Sequence, residues 1–208
     1  ALVQLADLQE PLPDGRVLFA HQRAAARWLL ARRGAVLADA MGLGKTLTAL
    51  AAARAMVRAA DCRIVVVAPA GLHRHWQQEA SALQLQLELL SWARLPDGLP
   101  PAGTVLIADE AHYVKNLHTG RAKTITRWID RAPNVIFLTG TPMENRVSEF
   151  VNLAKILDAN LGKTLDRKVL AAGPEPFKKE VASIYLRRNA SEVLKELPEL
   201  IQIEDYCT

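Results

Sequence analysis

The stretch Asp39-Ala40-Met41-Gly42-Leu43-Gly44-Lys45-Thr46 constrains this chain more than any other. A short apolar run, Ala35 to Ala38, precedes it, and a segment with helical periodicity, Leu47 to Val57, follows. A strand, a glycine-bearing turn ending in Lys-Thr, and a helix form the context in which a phosphate-binding loop works. The turn amides and the first N–H groups of the helix make a concave donor cluster for anionic oxygens. In such a loop Lys45 reaches the β- and γ-phosphates, and the Thr46 hydroxyl holds Mg²⁺. The strict pattern places glycine six residues before the lysine, where this chain has Asp39. Taken alone, the stretch also accommodates an ordinary strand-turn-helix with a surface lysine.

The rest of the chain alternates strands and helices. Residues 1–18 read as an irregular N-terminal extension broken by Pro11, Pro13 and Gly15. Phe19 to Arg33 carries Ala25, Trp28 and Leu29 at helical spacing, with Gly34 as the expected C-cap. Arg63 to Ala68 is a β-branched run apolar on both faces, as the interior of a parallel sheet requires, and it stops at Pro69. A helix over Leu72 to Leu83 and a strand over Leu85 to Leu90 come next, then a loop from Pro96 to Gly103. The strand Thr104 to Ala108 delivers Asp109-Glu110-Ala111-His112, and a helix over Thr119 to Arg131 follows. The strand Val135 to Leu138 ends in Thr139-Gly140-Thr141-Pro142 and precedes a helix over Val147 to Leu157.

Short connections between alternating elements predict an α/β domain over residues 19–158, a mostly parallel sheet with helices on both faces. Every chemically suggestive turn falls at a strand C-terminus, where open α/β sheets bind ligands. Residues 159–208 lose the alternation and read as a helical tail, with helices over Phe177 to Leu186 and Ser191 to Leu197.

An apolar strand ending in Asp109-Glu110 suits a nucleotide hydrolase. Asp109 takes the Mg²⁺ position, and Glu110 polarises the attacking water. As an isolated pair these carboxylates also fit a solvated turn; the upstream phosphate loop is what favours the catalytic reading. Composition excludes little. Among 208 residues, 50% are hydrophobic and 23% charged, ordinary for a globular protein. The net charge of +4 suits a polyanionic partner and equally an arginine-rich bias. Cys62 and Cys207 form no disulfide framework, which predicts a reducing compartment. No apolar run approaches the roughly 18 residues of a membrane helix, so no membrane partner is expected.

The ordered set of motifs resembles the first RecA-like lobe of the Swi/Snf-type ATPases, the DNA-translocating branch of helicase superfamily two. Phe19-Ala20-His21-Gln22 with Trp28-Leu29 resembles the adenine-recognising segment, and Asp39 to Thr46 resembles motif I, where that family also carries Asp. Ala68-Pro69 with Trp76 and Glu79 resembles motif Ia, and Ser91-Trp92 the Ser-aromatic pair after a strand. Asp109 to His112 with Lys115-Asn116 resembles motif II, and Leu138 to Pro142 with Asn145 motif III. Leu186-Arg187-Arg188 with Leu194 and Leu197-Pro198 resembles the segment closing the lobe.

The resemblance implies a three-layer α/β/α RecA-like fold and an ATPase that moves on double-stranded DNA, in a bacterial cytoplasm or a eukaryotic nucleus. It implies ATP and Mg²⁺ as ligands and a second RecA-like lobe as partner. Gln22 then reads the adenine, and Asp39, Met41, Gly42, Leu43, Gly44, Lys45 and Thr46 surround the nucleotide, with Thr46 and Asp109 on Mg²⁺. Lys45, Asp109 and Glu110 act in catalysis. Pro69, Gly71, Ser91, Trp92, Lys115, Asn116 and Arg188 line a DNA track, and Thr139, Gly140 and Thr141 couple it to the nucleotide. Ala40 departs from the acidic residue usual before Met-Gly, and the stretch between Asn145 and Arg187 is short for the family. The alternative function is a non-hydrolysing nucleotide-gated module that docks DNA or protein.

Simpler readings stand beside these roles. Trp28 and Trp128 suit core packing, and His73 and His75, two apart on a helix, do not share a face. The basic stretch Lys115, Arg121, Lys123, Arg127 and Arg131 suits a DNA-facing or a merely solvated surface. Arg187-Arg188 suits a DNA or inter-lobe contact and equally a salt bridge on the lobe.

Overall fold

A computed structural model of the chain describes residues 8–140, 147–158, 160–165 and 179–193. The elements in order are α1 (Ala20–Leu30), β1 (Gly34–Leu37), α2 (Lys45–Ala59), β2 (Arg63–Ala68), a 3₁₀ turn (Ala70–Leu72) and α3 (His73–Ala82). Then come β3 (Leu87–Ser91), β4 (Thr104–Ala108), a 3₁₀ turn (Ala111–Val114), α4 (Gly120–Arg131), β5 (Asn134–Leu138), α5 (Val147–Leu157), β6 (Tyr185–Leu186) and α6 (Ala190–Val193).

The strands form one six-stranded sheet in the order β3-β2-β4-β5-β1-β6, and every pairing is parallel. Strict alternation splits the apolar strands between two cores. Ala35, Leu37, Val105, Ile107, Ile136 and Leu138 face a core shared with α1, α2 and α3. Their neighbours Val36, Leu106, Val135 and Phe137 face a core shared with α4 and α5. Helices therefore cover both faces, as the continuous apolar strands predict, and the three-layer α/β/α architecture is what forms.

Two local expectations need correction. Gly34 opens β1 instead of capping α1, which ends at Leu30 with Ala31 as its cap. Its missing side chain has another use, because a Cβ there would come within 3.3 Å of the Leu157 side chain. Tyr185 and Leu186, expected in a helix, form the edge strand β6 beside Val36 and Leu37. Two residues are too few for a period, and main-chain pairing decided the outcome. The irregular leader also contributes Leu8, Leu12 and Leu18 to the α1–α3 core, and Arg16 reaches Glu79 of α3 at 2.9 Å.

Phe137 is wholly buried at the centre of the α4–α5 core. Phe137→Ala should lower stability by about 3–5 kcal/mol through lost burial and a residual cavity. Urea unfolding followed by circular dichroism, with an unchanged slope, measures it.

Candidate active site

Parallel pairing puts all six strand C-termini on one edge, and the turns that leave them form a common rim. Leu37 lies opposite Leu138, Val67 opposite Ala108, and Ala68 opposite Ser91. Asp109 N–H donates to Val67 C=O at 2.8 Å, and Thr139 N–H to Leu37 C=O at 3.2 Å. The loop Asp39–Gly44, Asp109-Glu110 and Thr139-Gly140 therefore share this rim.

The loop is built from backbone conformations that most residues avoid. Gly42 and Gly44 have φ of 84° and 76°, and a Cβ at Gly44 would collide with the Gln22 amide. Gly44 is the N-cap of α2 and brings no capping side chain, so the first N–H groups of α2 keep their donors for another acceptor. Gln22 is 5% exposed. Its carbonyl oxygen accepts the Phe19 N–H at 3.0 Å and its NH₂ donates to Leu43 C=O at 3.3 Å. In this structure the Gln22 amide thus braces the buried Leu43, while Met41 is 83% exposed at the crest of the loop.

Lys45 Nζ donates to the carbonyls of Asp39 at 2.7 Å and Ala40 at 3.2 Å. Burial holds its ammonium below the ordinary lysine range, against the opposing attraction of Asp39, Glu110 and Asp109. The β1 turn that carries Lys45 and the β4 turn that carries both carboxylates sit on the same rim of the sheet.

Asp109 is held by an indole from each side of the sheet. Trp76 of α3, fully buried in the α1–α3 core, donates Nε1–H to Asp109 Oδ2 at 2.9 Å. Trp92, buried in the opposite core, donates to the Asp109 carbonyl at 2.9 Å. Oδ1 accepts the Glu110 N–H at 2.9 Å. An ionised carboxylate offers about four lone-pair sites, so acceptor capacity remains. Glu110 has φ 52° and ψ 52°, a left-handed backbone unusual outside glycine. Its Oε2 lies 3.1 Å from His112 Nδ1, an ion pair when the ring is protonated.

Among the described residues no three His, Cys, Asp or Glu gather as a metal cage. The available donors, the Thr46 hydroxyl and the Asp109 carboxylate, are hard oxygens too few to hold a cation unaided. That set fits a Mg²⁺ completed by phosphate oxygens and water.

Two expected DNA-track residues sit elsewhere. Trp92 is only 4% exposed, because its ring fills the core and stacks on Tyr113 with centroids 5.8 Å apart. Arg188 turns inward. Its guanidinium grips the Asp39 carboxylate with two nitrogens and donates to His21 C=O at 2.6 Å. Asp39, at 1% exposure, is thus a buried anion neutralised by the chain after β6, and faces the loop lysine through its carbonyl alone. Ser91 and Pro69 are half-buried at the rim and Gly71 is exposed. Lys115 is half-buried, its carbonyl accepting from Asn152, and Asn116 is exposed beyond it. Thr139 is buried, and Gly140 lies close to Met41. Thr141, Pro142, Asn145, Leu194, Leu197 and Pro198 lie outside the described residues.

The indole bridge from Trp76 to Asp109 has no sequence signature beyond the general need of a buried indole N–H for an acceptor. The same holds for the Asp39–Arg188 pair, whose members are 149 residues apart.

Comparison with known proteins agrees with this geometry. Residues 21–92 and 102–207 match the family model described as the SNF2-related domain. The chain is 32% identical over 156 positions to the bovine SWI/SNF-related matrix-associated actin-dependent regulator of chromatin subfamily A-like protein 1, covering 64% of this chain and 16% of that protein. It is 26% identical over 261 aligned positions to the putative ATP-dependent helicase/translocase YwqA of Bacillus subtilis, covering 99% of this chain and 28% of that one. In fold it superposes on the Sulfolobus solfataricus SWI2/SNF2 ATPase core solved with dsDNA, with a TM-score of 0.77 at 22% identity, covering 92% of this chain and 49% of that one. The chain thus spans less than half the length of these relatives.

Arg188→Ala strands a buried carboxylate and should destabilise the chain by about 3–5 kcal/mol. A double-mutant cycle with Asp39→Ala, read by urea denaturation, should return a coupling energy of about 1 kcal/mol or more.

Proposed function

Because the chain belongs to the family of SNF2-related domains, we propose that it is the ATP-binding lobe of a DNA-dependent ATPase that couples hydrolysis to translocation on double-stranded DNA. The observation that carries this reading is the convergence of the Lys45 loop and the Asp109-Glu110 turn on one rim of the sheet, beside an uncapped helix N-terminus. A relative described as a helicase/translocase and an archaeal core solved with dsDNA support the DNA half of it.

In this mechanism the α2 N–H groups and the Gly42–Gly44 backbone bind the phosphates, and Lys45 exchanges its loop carbonyls for β- and γ-phosphate oxygens. Thr46 and Asp109 would hold a Mg²⁺ ion, which would supply charge neutralisation to the phosphates. Glu110 orients the attacking water and accepts its proton. Gln22 and the segment around it lie beside the base. Pro69, Gly71, Ser91, Lys115 and Asn116 contact the DNA backbone, which gives affinity without sequence preference. Thr139, Gly140 and Thr141 relay the nucleotide state to that track. A second RecA-like lobe in a longer polypeptide completes the site, and an arginine supplied across such a cleft is worth about 10³–10⁵ in rate in other phosphoryl-transfer systems. The 208-residue chain by itself is then a weak ATPase.

The full-length protein should hydrolyse ATP faster when duplex DNA is added. Lys45→Ala should abolish that stimulation, and Glu110→Gln should lower kcat by about 10²–10⁴-fold with nucleotide still bound. Equal background rates for all three proteins would instead favour the non-hydrolysing docking module.

Lys45 also gives a pH dependence. Burial depresses its pKa in the free protein, whereas a bound polyphosphate favours the ammonium and raises it. Affinity for a non-hydrolysable ATP analogue should be full below the free-state pKa and fall as pH climbs above it. Titration calorimetry from about pH 7 to about pH 10.5 reads this, and Lys45→Arg should flatten the curve.

A further inference from the structure

We propose that Trp76 is a positioning residue for the metal-holding carboxylate, setting the direction in which Asp109 presents its free lone pairs. This rests on the ATPase reading above.

Trp76 is fully buried, and its one polar atom donates to Asp109 Oδ2 at 2.9 Å. The opposite oxygen takes the Glu110 N–H, and Trp92 fixes the backbone at the same residue through the carbonyl. One carboxylate oxygen is therefore held by the main chain and the other by a side chain on a different element. That leaves no free rotation about the terminal bond, and the unshared lone pairs are aimed in one direction. Groups that orient a ligand carboxylate from behind commonly alter metal affinity by 10–100-fold when removed. A buried indole is suited to this task. It donates one hydrogen bond, accepts none, has no charge to compete for the cation and is fully buried in the core.

The placement of Trp76 adds a mechanical element. It lies one turn into α3, which begins directly after the 3₁₀ turn Ala70–Leu72 at the end of β2. The same turn holds Gly71 of the proposed DNA track. A shift of α3 thus moves the donor on Asp109, while Trp92 keeps the backbone of that residue in place.

Trp76→Phe keeps an aromatic ring in the core and removes the N–H donor together with part of the indole's volume. In the full-length protein, binding of Mn²⁺ with a non-hydrolysable ATP analogue, followed by electron paramagnetic resonance, should weaken about tenfold. Affinity for the analogue without metal should be unchanged, and the Mg²⁺ concentration giving half-maximal ATPase should rise in parallel. A folded Trp76→Phe protein with wild-type metal dependence would overturn the proposal and leave the ATPase reading intact. Loss of DNA-stimulated ATPase in the wild-type protein would sink that reading, while the Mn²⁺ measurement still judged Trp76. If Trp76→Phe does not fold, the ¹⁵N-labelled indole N–H resonance of Trp76 in the wild-type protein decides. It should move on adding Mg²⁺ together with the analogue and stay still with the analogue alone; no movement in either case rejects the proposal.

Discussion

Uniform parallel pairing is the constraint on which the rest of this structure depends. Antiparallel neighbours would send half of the strand C-termini to the far edge. Here six strands finish on one side, and each is followed by a turn whose residues can meet those of its neighbours. The cost is long crossovers, which become the helices that seal both faces. The two cores and the single rim are consequences of the same connectivity.

Electrostatics at the rim is arranged by burial as much as by contact. Asp39 lies deep in the sheet edge and needs a cation, which Arg188 supplies. Lys45, half-buried, donates to carbonyls of its own loop and feels three carboxylates without a direct ion pair to any of them. With Asp39 already neutralised by Arg188, the lysine remains available to an incoming anion. A generic phosphate loop has glycine at this position and no such pair to satisfy.

Much of this was legible in the residues alone. The β-branched runs suited interior strands, and Gly42 and Gly44 marked the turn of a phosphate-binding loop. The carboxylates at the end of an apolar run pointed to the rim before any coordinates. What stayed hidden shares one physical character: it depends on polar atoms meeting across distant parts of the chain. Trp76 read as part of the motif Ia segment and Trp92 as a DNA-track residue, because sequence spacing is blind to where an indole N–H finds its acceptor. Arg188 read equally as a DNA or inter-lobe contact and as a salt bridge on the lobe; the second is what forms, and nothing local announced that its partner would be the buried Asp39. Tyr185 and Leu186 read as helix because a two-residue edge strand is specified by the neighbour it lies against.

The short edge strand has one more consequence. Main-chain bonds from Val36, Ala38 and Ala40 to Ile184, Leu186 and Arg188 run in series beside the phosphate loop, and the Asp39–Arg188 pair closes the row. Tension applied to the residues following Arg188 along the strand axis would strain these links in shear, all at once, instead of unzipping them singly. The loop to which phosphate binding is proposed is thereby tied across the sheet edge to Ile184, Leu186 and Arg188, and gives way only when the whole row does.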